Sequence, residues 1–326
     1  MDAKIKARLL SIGSIRIDPS LVKRLRLTIP SAGPGAGEKA IFLRSKGHRV
    51  RLRIDPDSRL HGVAEGGMVR VLEDGVEVLR AELEEELIHC PGQAYITISE
   101  RCIYDCKFCA VPKIAGRVKG TGEIVQMVGK AAETGRLEAI SITSGVADSP
   151  EEEVRRAVEA VKALRRYGVP IGVSICPTRE STRLLKDAGA SEVKYNVETM
   201  DREIFREVCG ELDLDFILES LREAVRIFGK NRVYSNMLIG LGETDESVKD
   251  GVEILTRMGV IPILRAVAIN PLRAMDFRGE RPTPERILKL ARVTKERLER
   301  YGLRTGLSET MCLPCGGCDL VPQIDL

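Results

Sequence analysis

Nine cysteines occur in the 326-residue chain, and six of them fall in two tight runs. Cys102, Cys106 and Cys109 follow a C-x3-C-x2-C spacing within ERCIYDCKFCAVP, and Cys312, Cys315 and Cys318 a C-x2-C-x2-C spacing within ETMCLPCGGCDLVP. Disulfide frameworks belong mainly to small secreted chains, whereas closely spaced thiols in a large chain point to metal. A 4Fe-4S cluster ordinarily takes four thiolates, so three from one loop leave one iron open to a substrate or cofactor. Zinc is the competing reading. It wants four tetrahedral ligands, usually from two separated pairs, which fits the first run poorly and a zinc knuckle at the second run better. The second run has the spacing that opens the bacterial ferredoxin motif, but Pro322 stands where a ferredoxin places its next cysteine, so a fourth ligand comes from elsewhere or is absent.

These residues need a frame. From residue 93 onward, short apolar and β-branched runs alternate with longer amphipathic ones, the pattern of βα units around a parallel sheet. Strands are predicted at 93–99, 138–145, 170–177, 192–199, 232–240 and 262–270. The helix after the second has Ser149 as N-cap, Pro150 at its first position, acids in its first turn and Gly168 past its end, and stretches 244–259 and 283–302 repeat that layout. Six units do not close an eight-strand barrel. The predicted fold class is therefore α/β, a partial (βα)6 TIM-like barrel with its functional groups at the C-terminal strand ends. The expected division is a small β-rich accessory domain at 1–88, the barrel at 89–302 and a cluster-binding tail at 303–326. In the first of these, residues 41–86 alternate as antiparallel strands with EDG as a turn, after PSAGPGAGEK as a flexible loop.

The first cysteine run then lies in the loop after the first barrel strand. For the second, LRTGLSET is expected to return as a strand from a helix ending near Gly302, carrying its cysteines to the top so that both runs face one cavity. On that geometry Cys90, which precedes the first strand, lies roughly 20 Å from the upper face and is set aside as a fourth ligand. Cys176, Cys209 and Ser308 are the candidates instead. Cys176 and Cys209 also read as ordinary small core residues.

The first run, with an aromatic residue, Phe108, before its last cysteine, resembles the motif of the radical SAM superfamily, and the resemblance extends from about residue 88 to 275. It implies that S-adenosylmethionine binds the open iron through its amino and carboxylate groups. It further implies that Thr143, Ser144 and Gly145 form the turn at the methionine amino group, and that Asn196 and Glu198 of YNVET contact ribose and carboxylate. Ile239 and Gly240 of NMLIGLGE are implied beside adenine, with Asn236 where the family usually has its first glycine. In that family one electron from the reduced cluster splits the sulfonium, and the 5′-deoxyadenosyl radical takes a hydrogen atom from an unactivated C–H bond. A dry cavity is expected around such a species.

Within the superfamily the chain looks biotin-synthase-related and is most similar to a subunit of the archaeal two-component lipoyl synthase. It departs from biotin synthase in its C-terminal cysteine run, and from ordinary lipoyl synthase, whose second-cluster cysteines precede the barrel. The resemblance implies a transferase that inserts sulfur into an octanoyl chain on a carrier protein, with a second, sacrificial 4Fe-4S cluster on Cys312, Cys315 and Cys318. Implied partners are a second radical SAM subunit, the octanoylated carrier and an external reductant such as ferredoxin. The alternatives are a dehydrogenase, peptide-modifying or cofactor-maturation enzyme whose second cluster relays electrons, a non-enzymatic scaffold or electron carrier, and a zinc-bound barrel hydrolase.

Composition bounds the partners. A net charge of +3 with 30% charged residues makes no case for nucleic acid. Residues 1–60 hold 14 Lys and Arg against 5 Asp and Glu, a local excess of 9 that offers a docking face to an acidic carrier. No apolar run reaches the ~18 residues of a membrane span, and the N-terminus lacks the apolar stretch of a signal peptide, so a cytoplasmic protein without a membrane partner is expected. The charge-rich helices are in keeping with thermophily.

Overall fold

The computed structural model describes residues 1–18, 21 and 36–326. Asp2 caps helix α1 (Ala3–Ile12) by accepting the Ile5 N–H, and Gly13 ends it at φ 74°. Strands β1 (Ser14–Ile17), β2 (Ala40–Ser45), β3 (His48–Ile54), β4 (Leu60–Glu65), β5 (Met68–Glu73) and β6 (Val76–Glu84) follow. They close into a barrel in the order β1-β3-β2-β6-β5-β4. The alternation that predicted these strands buries Ile41, Leu43, Val50, Leu52, Val69 and Val71 as one core. Asp74 and Gly75, both at positive φ, make the EDG turn between β5 and β6. The four-residue β1 pairs in parallel with β3 and with β4, which leaves the barrel without an open edge. The loop read at PSAGPGAGEK lies largely outside the described residues.

After β7 (His89–Cys90), six parallel strands form the second sheet: β8 (Gln93–Thr97), β9 (Ala139–Thr143), β10 (Ile171–Ser174), β11 (Glu192–Lys194), β12 (Val233–Ile239) and β13 (Ile261–Ala266). Its order runs β13 to β7 without crossing, so the sheet curls but stays open between its first and last parallel strands. The six predicted strands are these six. Helices α2 (Thr121–Ala132), α3 (Pro150–Leu164), α4 (Ser181–Ala188), α5 (Arg202–Val208), α6 (Leu214–Phe228), α7 (Asp245–Arg257) and α8 (Pro284–Arg300) cover its outer face. The Ser149 hydroxyl accepts the Glu152 N–H at 3.2 Å, and a 3-10 turn carries that helix on to Gly168 at φ 68°. Val128, Val154, Val161, Leu185, Leu221 and Val252 pack between helices and sheet. No described helix is long and apolar enough to cross a membrane.

The tail departs from expectation. Residues 303–311 form no strand; a 3-10 turn at Thr305–Leu307 leads into irregular chain. Side chains at the lower ends of the strands take its backbone instead. Glu192 accepts the N–H groups of Glu309 and Thr310 at 3.0 and 2.9 Å, and Gln93 accepts that of Met311 at 2.9 Å. The Met311 carbonyl in turn accepts from Gln93 at 3.0 Å. The second cysteine run therefore enters the barrel from below, not from above. It is held there by the N-terminal barrel: Arg51 N donates to the Gly317 carbonyl at 2.7 Å, Arg49 to that of Cys315 at 2.9 Å and Lys6 to that of Gly316 at 2.7 Å. Lys6 also binds Asp325 at 2.6 Å, with both side chains 2% exposed.

Candidate active site

Cys102, Cys106 and Cys109 lie in the loop after β8, at the upper end of the sheet. Three anchors fix that loop. The Ile103 N–H reaches the Val146 carbonyl at 2.7 Å, and the Val146 N–H returns to Cys102 Sγ at 3.4 Å. Glu153, fully buried, accepts from the hydroxyls of Ser99 and Ser144 at 2.8 and 2.7 Å and from the Ala147 N–H at 3.0 Å, which ties the cysteine loop to the loop after β9. Arg273, also fully buried, donates to the Cys109 carbonyl and to Asp105, both at 2.6 Å, and to Asp276 at 2.5 Å. Glu153 and Arg273 were not singled out from sequence, because a helix-borne glutamate and a loop arginine carry no local signal of such a role.

The three thiols line a cavity of about 400 Å³ that runs down inside the barrel. Burial pushes the Cys109 thiol up to about 12 and Cys102 upward as well, so thiolates here need a cation to compensate them. Phe108, Thr143, Ser144, Gly145, Asn196 and Glu198 line the same cavity. A Cβ on Gly145 would lie 2.4 Å from the Arg101 carbonyl oxygen, so the close approach of two loops requires this glycine. Asn196 Oδ1 accepts the Asn236 N–H at 3.2 Å. Asn236 Oδ1 is buried without a hydrogen-bond partner, and Asn236 borders the cavity. Glu198 takes a left-handed φ of 58°, and burial raises its carboxyl to about 7 against the opposing pull of Lys194, Asn196 and Arg265.

Ile239 and Gly240 are not among the lining residues. Side chains alternate along β12, so Asn236 and Leu238 face inward while Ile239 turns toward the helices. Gly240 packs against the Glu280 backbone, where a Cβ would meet its carbonyl oxygen at 2.0 Å.

The floor of the cavity includes His89, Tyr95, Lys194 and Arg265. Directly beyond it is the second cysteine run: Lys194 Nζ lies 3.4 Å from Cys312 Sγ, and Arg265 holds Asp319 at 2.5 Å. The second run itself does not line the cavity. Its fourth-ligand candidates are corrected by their positions. Cys176 and Cys209 stand at the upper end, the former lining the cavity with Tyr104 and the latter in the core against which Cys106 packs. Ser308 stands on the tail's approach, its hydroxyl buried without a hydrogen-bond partner. Cys90, set aside on the expectation of an upper site, is the one that meets the run: it packs with Cys315, Phe42 and Tyr95. Among the described residues no three His, Cys, Asp or Glu side chains converge as ligands of a single metal ion. The upper loop suits a cluster, which spreads its thiolates over several irons: three thiols on one immobilised loop face the same cavity.

Comparison with known proteins agrees with this geometry. Residues 96–255 match the radical SAM superfamily. The biotin synthase of Anaeromyxobacter sp. (strain K) is 32% identical over 194 residues, 56% of this chain and 53% of that protein. A probable GTP 3′,8-cyclase of Thermococcus kodakarensis is 25% identical over 215 residues, covering 62% of this chain and 67% of that protein. The chain thus spans about half the length of the biotin synthase it matches. Among solved structures, methylornithine synthase superposes with a TM-score of 0.53 at 20% identity, over 63% of this chain and 62% of that one, a likeness of fold. The cysteine loop, the open parallel sheet and the match over 96–255 together place this chain in the radical SAM superfamily.

Proposed function

We propose that this chain inserts sulfur into an unactivated C–H bond, with an octanoyl chain on an acidic carrier protein as substrate and a second radical SAM protein as partner, in the manner of a two-component lipoyl synthase. Superfamily membership implies S-adenosylmethionine and one 4Fe-4S cluster, which together supply a carbon-centred radical able to abstract hydrogen. Cys102, Cys106 and Cys109 are the residues to hold that cluster, with Thr143, Ser144, Gly145, Asn196 and Glu198 around the cofactor. The observation that carries the reading is the second cysteine run lying directly under the floor of the same cavity, within 3.4 Å of Lys194. A sulfur source for a substrate radical has to be within reach of it. Similarity to biotin synthases supports the reaction class.

The buried Lys194 and the half-buried Arg265 place positive charge at the floor. Charge there stabilises thiolates and bound sulfide at the second run. Glu153 and Arg273 hold the upper loop in place, and Phe108 and Leu238 add apolar surface to the cavity walls.

The deciding experiment is anaerobic reconstitution followed by assay with S-adenosylmethionine, a reductant such as reduced ferredoxin and octanoylated carrier, with and without the second subunit. Mass gain of sulfur on the carrier, with loss of iron and sulfide from this chain, is the expected outcome. A cluster conserved over turnover, with 5′-deoxyadenosine still formed, selects the electron-relay reading instead.

A further inference from the structure

The local spacing of Cys312, Cys315 and Cys318 supplies three ligands, and the structure brings a fourth thiol to them from 222 residues away in sequence, the distance from Cys90 to Cys312. Cys90 is 1% exposed and sits on β7, where it packs with Cys315, Phe42 and Tyr95. Tyr95, which packs with Cys90 and Cys315, also packs against the hydrophobic cluster that includes Cys312. Cys90 also precedes Pro91. In two-cluster ferredoxins a C-x2-C-x2-C run takes its fourth ligand from a remote cysteine that is followed by proline, so the pair Cys90–Pro91 has the sequence character of that remote ligand.

The surroundings are built for an anion. Lys194 Nζ reaches Cys312 Sγ at 3.4 Å. Arg51, whose backbone N–H holds the Gly317 carbonyl, has Nε and Nη2 buried with no hydrogen-bond partner. Buried guanidinium donors are rarely left unmatched, and an iron–sulfur cluster presents sulfide and thiolate acceptors on every side. Close packing leaves no freedom in the loop: a Cβ on Gly317 would meet the Phe42 ring at 2.5 Å.

We propose that Cys90 completes, with Cys312, Cys315 and Cys318, a four-thiolate iron–sulfur site at the base of the barrel, with Arg51 and Lys194 as hydrogen-bond donors to it. This rests on the reading of the C-terminal run as an iron–sulfur ligand set. Every iron of the site then carries a protein thiolate, so release of a sulfide toward the cavity requires its bonds to the bridged irons to break.

The test uses the full-length chain carrying Cys102→Ala, Cys106→Ala and Cys109→Ala, so that only the lower site can load. After anaerobic reconstitution it is expected to hold about four irons and four sulfides per chain. Adding Cys90→Ala is expected to lower the iron content at least twofold or to leave a three-iron EPR signal. Cys90→Ser, which keeps size and fold, is expected to change the EPR spectrum of the reduced cluster. Cys176→Ala and Cys209→Ala are expected to change neither. If both Cys90 variants load and give spectra like their parent while Cys315→Ala does not load, the assignment of Cys90 is overturned and the C-terminal cluster stands. If the parent triple variant holds zinc or no iron, the cluster itself is overturned.

Discussion

Arg273 Nε donates to the carbonyl oxygen of Cys109 at 2.6 Å, joining residues 164 positions apart in the chain. The guanidinium has no exposed surface and spends its remaining donors on Asp105 and Asp276. The loop that carries three thiols is thereby clamped by the segment after the last strand. Removing the clamp leaves a buried carbonyl without a donor. Arg273→Ala is expected to cost about 2 kcal/mol in denaturant unfolding and to lower iron retention at the upper site, with Arg273→Lys intermediate because it cannot fork. Unchanged iron content in Arg273→Ala removes the positioning role.

Glu198 gives the site a pH signature. Its carboxyl is raised from 4.5 to about 7 by burial, so the folded state binds a proton there that the unfolded chain has released. Its contribution to stability is therefore complete below pH 4.5 and is lost as pH rises through 7. A cationic cofactor favours the ionised form, so S-adenosylmethionine affinity is expected to strengthen between pH 6 and 8, by up to about tenfold per unit below the pKa. Titration of Glu198→Gln is expected to flatten both dependences. A slope that persists in Glu198→Gln assigns the titration elsewhere.

Two glycines make a matched pair. Gly145 has backbone 2.4 Å from where a Cβ would stand, and Gly122 has open space. Gly145→Ala is expected to displace the Cys102 loop and lower iron content severalfold. Gly122→Ala, in the first turn of α2, is expected to stabilise by about 0.5–1 kcal/mol or to be neutral. Equal effects on iron content in the two variants dispose of the steric account.

Asn236 occupies the position where the family usually has glycine, and its buried Oδ1 has no partner in the protein. Asn236→Ala is expected to raise the melting temperature slightly, since an unpaired acceptor is removed, while weakening cofactor binding about fivefold to tenfold. Calorimetric binding that does not change marks the carbonyl as unused.

The basic N-terminal region offers less free charge than its composition suggests. Arg49 pairs with Glu84, Arg53 with Asp55, Arg59 with Glu73 and Asp74, and Arg51 faces inward. Lys46 is exposed on the β2–β3 hairpin, as is Arg44 in a surface pair with Glu82 at 3.3 Å. Arg44→Glu with Lys46→Glu is expected to weaken binding of an acidic carrier at low salt by about tenfold and to lower its salt dependence. Carrier binding indifferent to both reversals moves the docking face elsewhere.

The upper half of the site was legible because its signals are local. A thiol spacing, β-branched runs and caps such as Ser149 each report on their own few residues. The base of the barrel was not, because it is made of long-range substitutions for ordinary pairing. Gln93, Ser141 and Glu192 look like polar interruptions in strands, yet they receive the backbone of 309–311 in place of a neighbouring strand. With that strand absent, the tail stays low, and the exclusion of Cys90, sound for an upper site, reverses. Closure of the N-terminal barrel was hidden for a related reason: β1 is four residues long and pairs in parallel on both sides, which leaves no hairpin signal.

The packing of Gly317 on the Phe42 ring gives the two ends of the chain a shared timetable. A ribosome that has made the first three hundred residues has already joined everything the upper loop needs, Arg273 included. The lower site is not yet born, since its walls come from the beginning, the middle and the end of the message. On the proposal of a cluster at the base, loading of metal there is a late event that waits for the last residues of the chain.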